Sequence, residues 1–142
     1  MNIIPKICQA FDIRILRAPL PARISGEIRP SATEPGKFEI KINRYESEVR
    51  QRFTAAHELA HYLLHRDVIG DGIVDSVLYR SRLSDVREAE ANRLAADILM
   101  PINQITSYIE ERRAYDFDDE QLSEMAEMFK VSEMALRFRL GR

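Results

Sequence analysis

Two histidines and a glutamate stand at a spacing that suits metal chemistry, in Arg52-Phe53-Thr54-Ala55-Ala56-His57-Glu58-Leu59-Ala60-His61-Tyr62-Leu63-Leu64-His65. In a helix the step from His57 to His61 is a little over one turn, so both imidazoles project from one face about 6 Å apart along the axis. Neutral imidazole is a borderline ligand suited to Zn²⁺, and two stacked rings can offer nitrogens to one ion without bending the backbone. Glu58, one residue after the first ring, is rotated away from the ligand direction and can instead take a proton from a water held at the metal. A buried imidazole is more often a hydrogen-bonded core residue than a ligand, so the motif needs further donors.

A catalytic zinc site usually has three protein ligands and one open position. His65, the third and last histidine, lies about 12 Å from His57 along the same side of the helix, too far to share the ion. It is expected at the helix end or as a support for a ligand. A carboxylate from a second helix is the better candidate, in Arg87-Glu88-Ala89-Glu90-Ala91-Asn92. Glu88 and Asn92 are four apart and share a face, so one can bind the metal while the other hydrogen-bonds a ligand. Glu90 points elsewhere. Without the histidine motif these acids would as readily be solvent-facing.

Periodicity and punctuation define the secondary structure around these residues. Ile3, Ile4, Ile7, Ala10 and Phe11 have helical spacing and predict a first helix before Asp12. Pro19, Pro21 and Gly26 interrupt the next stretch, with a strand at 23–28 between them. Residues 37–43 alternate polar and apolar, which predicts a strand with one buried face, and the two strands form a hairpin across the turn at 31–36. Ser47 caps the central helix, running to about His65 with Phe53, Ala56, Ala60, Leu63 and Leu64 as its apolar stripe. Residues 67–75, with Gly70 and Gly72, are expected as loop, and 76–80 as a short third strand at whose edge an extended peptide can lie. Ser84 caps a helix that Pro101 stops near Met100. Pro101 suits the first turn of another helix through Ile102, Ile105 and Ile109. Two final helices begin at Asp118-Asp119 and at the cap Ser132. The expected fold is α+β: a mostly helical, zincin-like single domain over 1–142, with an about three-stranded sheet on the central helix. Its core lies at about 37–101, and 102–142 form a C-terminal helical part.

Composition narrows the class. A chain of 142 residues with one cysteine, Cys8, folds without an internal disulfide and fits a reducing compartment. The first eleven residues lack a signal-peptide apolar run, and no segment reaches the about twenty apolar residues of a membrane span. A cytoplasmic protein is expected. A formal charge of −2 and a pI near 6.0 argue against coating nucleic acid. Arg137, Arg139 and Arg142 form only a small basic end.

The two blocks together resemble the ImmA/IrrE family of zinc metallopeptidases. The resemblance is carried by Arg52-Phe53-Thr54-x-Ala56-His57-Glu58-Leu59-Ala60-His61-x-x-Leu64-His65 and by Glu88-x-Glu90-Ala91-Asn92-x-x-Ala95-x-x-x-Leu99-Met100-Pro101. The tail from Met125 to Leu140 is similar to that family's closing helices, so the likeness covers about Phe38 to the C-terminus. It implies a gluzincin-like site in which His57 and His61 are ligands, a glutamate of the second helix, Glu88, is the third, and Glu58 is the general base. It also implies that the substrate is a helix-turn-helix repressor or antitoxin of the kind encoded beside such proteins in mobile elements, prophages or stress loci. Ala60 stands where glycine is common and Leu94 where an aromatic is frequent; neither change removes a catalytic atom. Longer relatives carry a sensory domain that this chain is expected to lack. Tyr62, Tyr79 and Arg80 are candidates to stabilise an oxyanion. The rival reading is a binding module that uses 121–140 as a helix-turn-helix without cutting. Glu120, Glu124, Glu127 and Glu133 would repel phosphates there, and structural packing of these helices is the simpler expectation.

Overall fold

The structure is a computed structural model that describes residues 3–76, 84–113 and 118–142. In chain order it comprises α1 (Ile3–Ala10), β1 (Arg14–Ala18), β2 (Ile24–Pro30), β3 (Phe38–Asn43), α2 (Glu48–His65), a 3-10 turn (Arg66–Val68), β4 (Ile73–Ser76), α3 (Asp85–Leu99), α4 (Ile102–Arg112), α5 (Asp119–Phe129) and α6 (Glu133–Leu140). The class is α+β, with a small sheet packed on α2 as the residue pattern predicts.

The sheet among the described residues has four strands, not about three, in the order β1-β3-β2-β4. The expected hairpin is present, with β2 and β3 antiparallel and Ile28 opposite Ile40. β1 has no counterpart among the predicted elements. Its segment Arg14-Ile15-Leu16-Arg17 has no clean alternation, and it becomes a strand by lying parallel to β3, with Ile15 beside Ile40. The second difference concerns β4. The expected loop at 67–75 contains most of this strand, Ile73–Ser76, while 77–80 of the expected strand lie outside the described residues. β4 pairs antiparallel with β2 as an edge strand, with an irregularity between Ile24 and Gly26. Ile73 is fully buried and Val74 is exposed, so the two-residue period returns Asp75 to the inner face.

Three helix starts use the caps expected from the sequence. Ser47 Oγ accepts from the Arg50 N–H (3.2 Å), Ser84 Oγ from Arg87 (3.3 Å) and Ser132 Oγ from Ala135 (3.0 Å). α2 is enclosed by the sheet and by α3, so burial extends all round it from Thr54 to Tyr62 rather than along one stripe. Ala56 and Ala60 on α2 and Ala91 and Ala95 on α3 are wholly buried; such small side chains let helices approach closely. The buried cluster reaches beyond 37–101 at both ends, taking in Ile4, Cys8, Ile13 and Ile28 as well as Leu122, Met125 and Leu136. No helix among the described residues is long and apolar enough to cross a membrane.

Gly26 fixes where α2 meets the sheet. A Cβ there would lie 2.5 Å from Thr54 Cγ2, 2.9 Å from the Lys41 carbonyl oxygen and 3.7 Å from Glu58 Cγ. The missing side chain is what lets this turn of α2 sit down on β2. Gly26→Ala is therefore expected to destabilise the fold by about 1–3 kcal/mol, the range for overpacking a filled interior. Urea unfolding measures this, and a midpoint equal to that of the parent protein would show that the contact is not tight.

Candidate metal centre

The Nε2 atoms of His57 and His61 are 3.0 Å apart, and their rings meet edge to face with centroids at 4.6 Å. Two nitrogens held about 2.0–2.1 Å from one tetrahedral ion stand roughly 3.3 Å apart, so this pair has the spacing of a chelate. Two carboxyl groups from other elements close on it. Glu88 of α3 places Oε1 2.7 Å from His61 Nε2 and 3.5 Å from His57 Nε2. Asp75 of β4 places Oδ2 3.5 Å from His57 Nε2 and 3.6 Å from His61 Nε2. Glu58 is wholly buried beside them, with a carboxyl oxygen within 4.8 Å of one of Asp75. Neither Glu58 oxygen finds a hydrogen-bond donor among the described residues.

The far sides of the rings determine which nitrogens face the cleft. His57 Nδ1 is 2.8 Å from Asn92 Oδ1, an acceptor, so Nδ1–H donates and the Nε2 lone pair of the neutral ring is free for a metal. His65 Nε2 is 3.1 Å from Glu90 Oε1 and therefore donates to it. That leaves His65 Nδ1 to accept from His61 Nδ1–H at 3.0 Å, which turns the lone pair of His61 Nε2 into the cleft as well. One ring is oriented by an amide, the other by a second histidine and an acid.

The charge balance favours a cation. Burial by itself would lower the pKa of His57, but hydrogen bonding and charge from Asp75 and Glu88 outweigh it and lift the value to about 9. Burial, then the adjoining Asp75 and the charges of Glu88 and Glu27, hold the Glu58 carboxyl well above the usual carboxylate range. Three acids around two imidazoles attract positive charge, and a divalent metal meets that need while releasing protons. The donors are nitrogens and carboxylate oxygens, a set that fits zinc.

The structure brings His57, Glu58 and His61 together on α2, and Glu88 and Asn92 reach the imidazoles from α3. Glu90 does not reach the pair directly, but it is connected to the centre through His65. Asp75 was missed because Gly70 and Gly72 made its segment read as loop; the alternation Ile73-Val74-Asp75 was the available signal. Tyr62 is not at the centre. Its ring packs against Phe11 and Phe38, centroids 5.5 Å from each, under the Arg66 guanidinium. Tyr79 and Arg80 lie outside the described residues. In the C-terminal helices, Arg137 pairs with Asp119 of α5 (3.1 Å), and Arg139 pairs with Asp97 of α3 (3.4 Å) and donates to the Met100 carbonyl (3.0 Å), contacts that link α6 to both elements.

A His-Glu-x-x-His helix laid on a small sheet, with acids from a later helix and an edge strand at its imidazoles, forms a group that could hold a metal ion. The family can be named as well: the IrrE N-terminal-like domain of the M78 peptidases matches residues 8–141, and the chain belongs to that metallopeptidase family. A comparison with curated proteins finds no match.

The chain of contacts behind His61 has a measurable consequence. His65→Leu is expected to lower affinity for zinc about 10–100-fold, the usual effect of removing a partner that orients a ligand. Glu90→Ala should do less, because Glu90 is half exposed and water can replace it. Competition with a chromogenic chelator measures both, and unchanged affinity in His65→Leu would show that the contact does not orient the ring.

Proposed function

We propose that the protein is a zinc-dependent endopeptidase of the cytoplasm that cleaves a helix-turn-helix transcriptional repressor or antitoxin. The observation that carries the hydrolytic part is the convergence of two imidazole nitrogens 3.0 Å apart, a Glu88 oxygen 2.7 Å from one of them and the buried Glu58 carboxyl. The choice of partner rests on the resemblance to the ImmA/IrrE family.

His57, His61 and Glu88 are assigned as the residues that hold zinc. Asp75 competes for the third place, because its carboxylate groups with His57, Glu58 and His61 as a possible ligand cluster. Glu88 is preferred because the resemblance to the ImmA/IrrE family implies it and its Oε1 lies within 3.5 Å of both imidazole Nε2 atoms. Zinc bound there supplies Lewis acidity, making a peptide carbonyl electrophilic and a water acidic near neutrality. Glu58 accepts the proton of the attacking water and returns it to the leaving amine nitrogen. Its burial raises its proton affinity, which suits a group that must hold a proton between the two steps. Gly26 and Thr54 fix the backbone turn from which Glu58 projects, and Asn92 and His65 orient the rings.

Three measurements decide the reading. Incubation with the repressor encoded by the adjacent gene should yield a defined fragment, lost with chelator and restored by zinc. Glu58→Gln should retain zinc and lose about 10²–10⁴-fold in cleavage rate; cleavage at the parent rate would remove Glu58 from its role. Glu88→Gln should lose zinc at least about tenfold more readily than Asp75→Asn, and the reverse order would assign the third position to Asp75.

A further inference from the structure

Along α2 the residues Val49, Phe53, His57, His61 and His65 recur every four positions and form a ridge that winds round the helix by about 40° per step. The second half of that ridge is the metal centre. The first half is apolar, and it faces a groove of about 360 Å³ whose other wall is α6. There Met134 and Phe138, also four apart, line the groove and are exposed at 81% and 53%. Val131 and Ala135 complete the α6 side. Large apolar side chains left in water as a paired set mark a binding surface, and methionine adapts to varied apolar shapes.

The groove and the metal cleft adjoin across a shared wall. Arg50, Phe53 and Asn92 line both, and the Phe53 ring stacks on His57 with centroids 6.5 Å apart. Asn92 spends its oxygen on His57, so its amide N–H groups stand at the junction, able to donate to a passing peptide carbonyl. α6 is a firm wall, held by Leu136 in the core and by the Arg139 contacts to Met100 and Asp97.

We infer that the α2–α6 groove is a specificity subsite that takes a bulky apolar side chain of the substrate, next to the scissile bond. The inference rests on the peptidase reading and deepens it. A peptide that runs from His57 past Phe53 enters a space that accepts an aliphatic or aromatic side chain, where Arg50, shared with the cleft, is the one charged residue among the described lining.

The test separates binding from cleavage by using zinc-loaded Glu58→Gln protein. End-blocked octapeptides of alanine and glycine with one central Leu, Met, Phe, Ser or Asp are titrated and followed by NMR. The Leu, Met and Phe peptides should bind about 10–100-fold more tightly than the Ser and Asp peptides, with shifts at Val49, Met134 and Ala135. Phe138→Asp should erase that preference at unchanged zinc content, and Phe138→Leu should keep most of it. Equal affinity across the panel, or an apolar preference that survives Phe138→Asp, would overturn the subsite. So would a concentration-dependent dimer that Phe138→Asp dissolves, since the groove would then belong to a second copy. If protein with Glu58 intact shows the same preference but cleaves neither these peptides nor the repressor, the peptidase reading falls and the groove stands.

Discussion

Glu58, Asp75 and Glu88 come from three different elements to one point beside two imidazoles, and most of that point is out of water. Like charges gathered in a poorly solvated place repel strongly, and the arrangement is tolerable only with positive charge among them. Protons can provide it, as the raised pKa values of His57 and Glu58 indicate. A divalent cation provides it with geometry as well, because the two nitrogens already stand at chelating distance. The remaining structure holds these groups together against their repulsion.

That holding is done by close packing. The bare backbone of Gly26 lets the Thr54 turn of α2 settle on β2, directly below Glu58. On the other side, wholly buried alanines on α2 and α3 leave room for the helices to lie near one another, so Glu88 and Asn92 reach across with ordinary side-chain lengths. β4 closes the third side as a short edge strand and carries Asp75 inward. A loose scaffold would let the acids separate into solvent, and the centre would lose its preference for a cation.

The same helix lines both the apolar groove and the candidate metal centre. Its four-residue repeat runs from Val49 and Phe53, at the apolar groove, through His57 and His61 to His65, whose contact with Glu90 reaches the surface. One end of this ridge lines an apolar groove, the middle carries the two facing imidazoles, and the far end contacts Glu90. A rigid helix is suited to this because neighbours on such a winding ridge are spaced by its own hydrogen bonds.

Much of this was legible in the residues alone. The His57–His61 spacing, the caps at Ser47, Ser84 and Ser132, and the pairing of Glu88 with Asn92 are local properties, set by helical period and by the chemistry of helix ends. Two features were not legible in that way. β1 is a strand only because β3 lies beside it, and nothing within Arg14–Ala18 specifies a parallel neighbour. Asp75 joins the centre because β4 pairs with β2 across an irregular register, which turns a segment with loop-like glycines into an inner-facing strand. The amino-acid order alone was enough to say that one helix sets two imidazoles and a carboxyl close together, because helical period is a local property. Which acids arrive there was left to the folded chain, because that depends on strand pairing and helix approach between segments far apart in the sequence, for which local periodicity carries no signal.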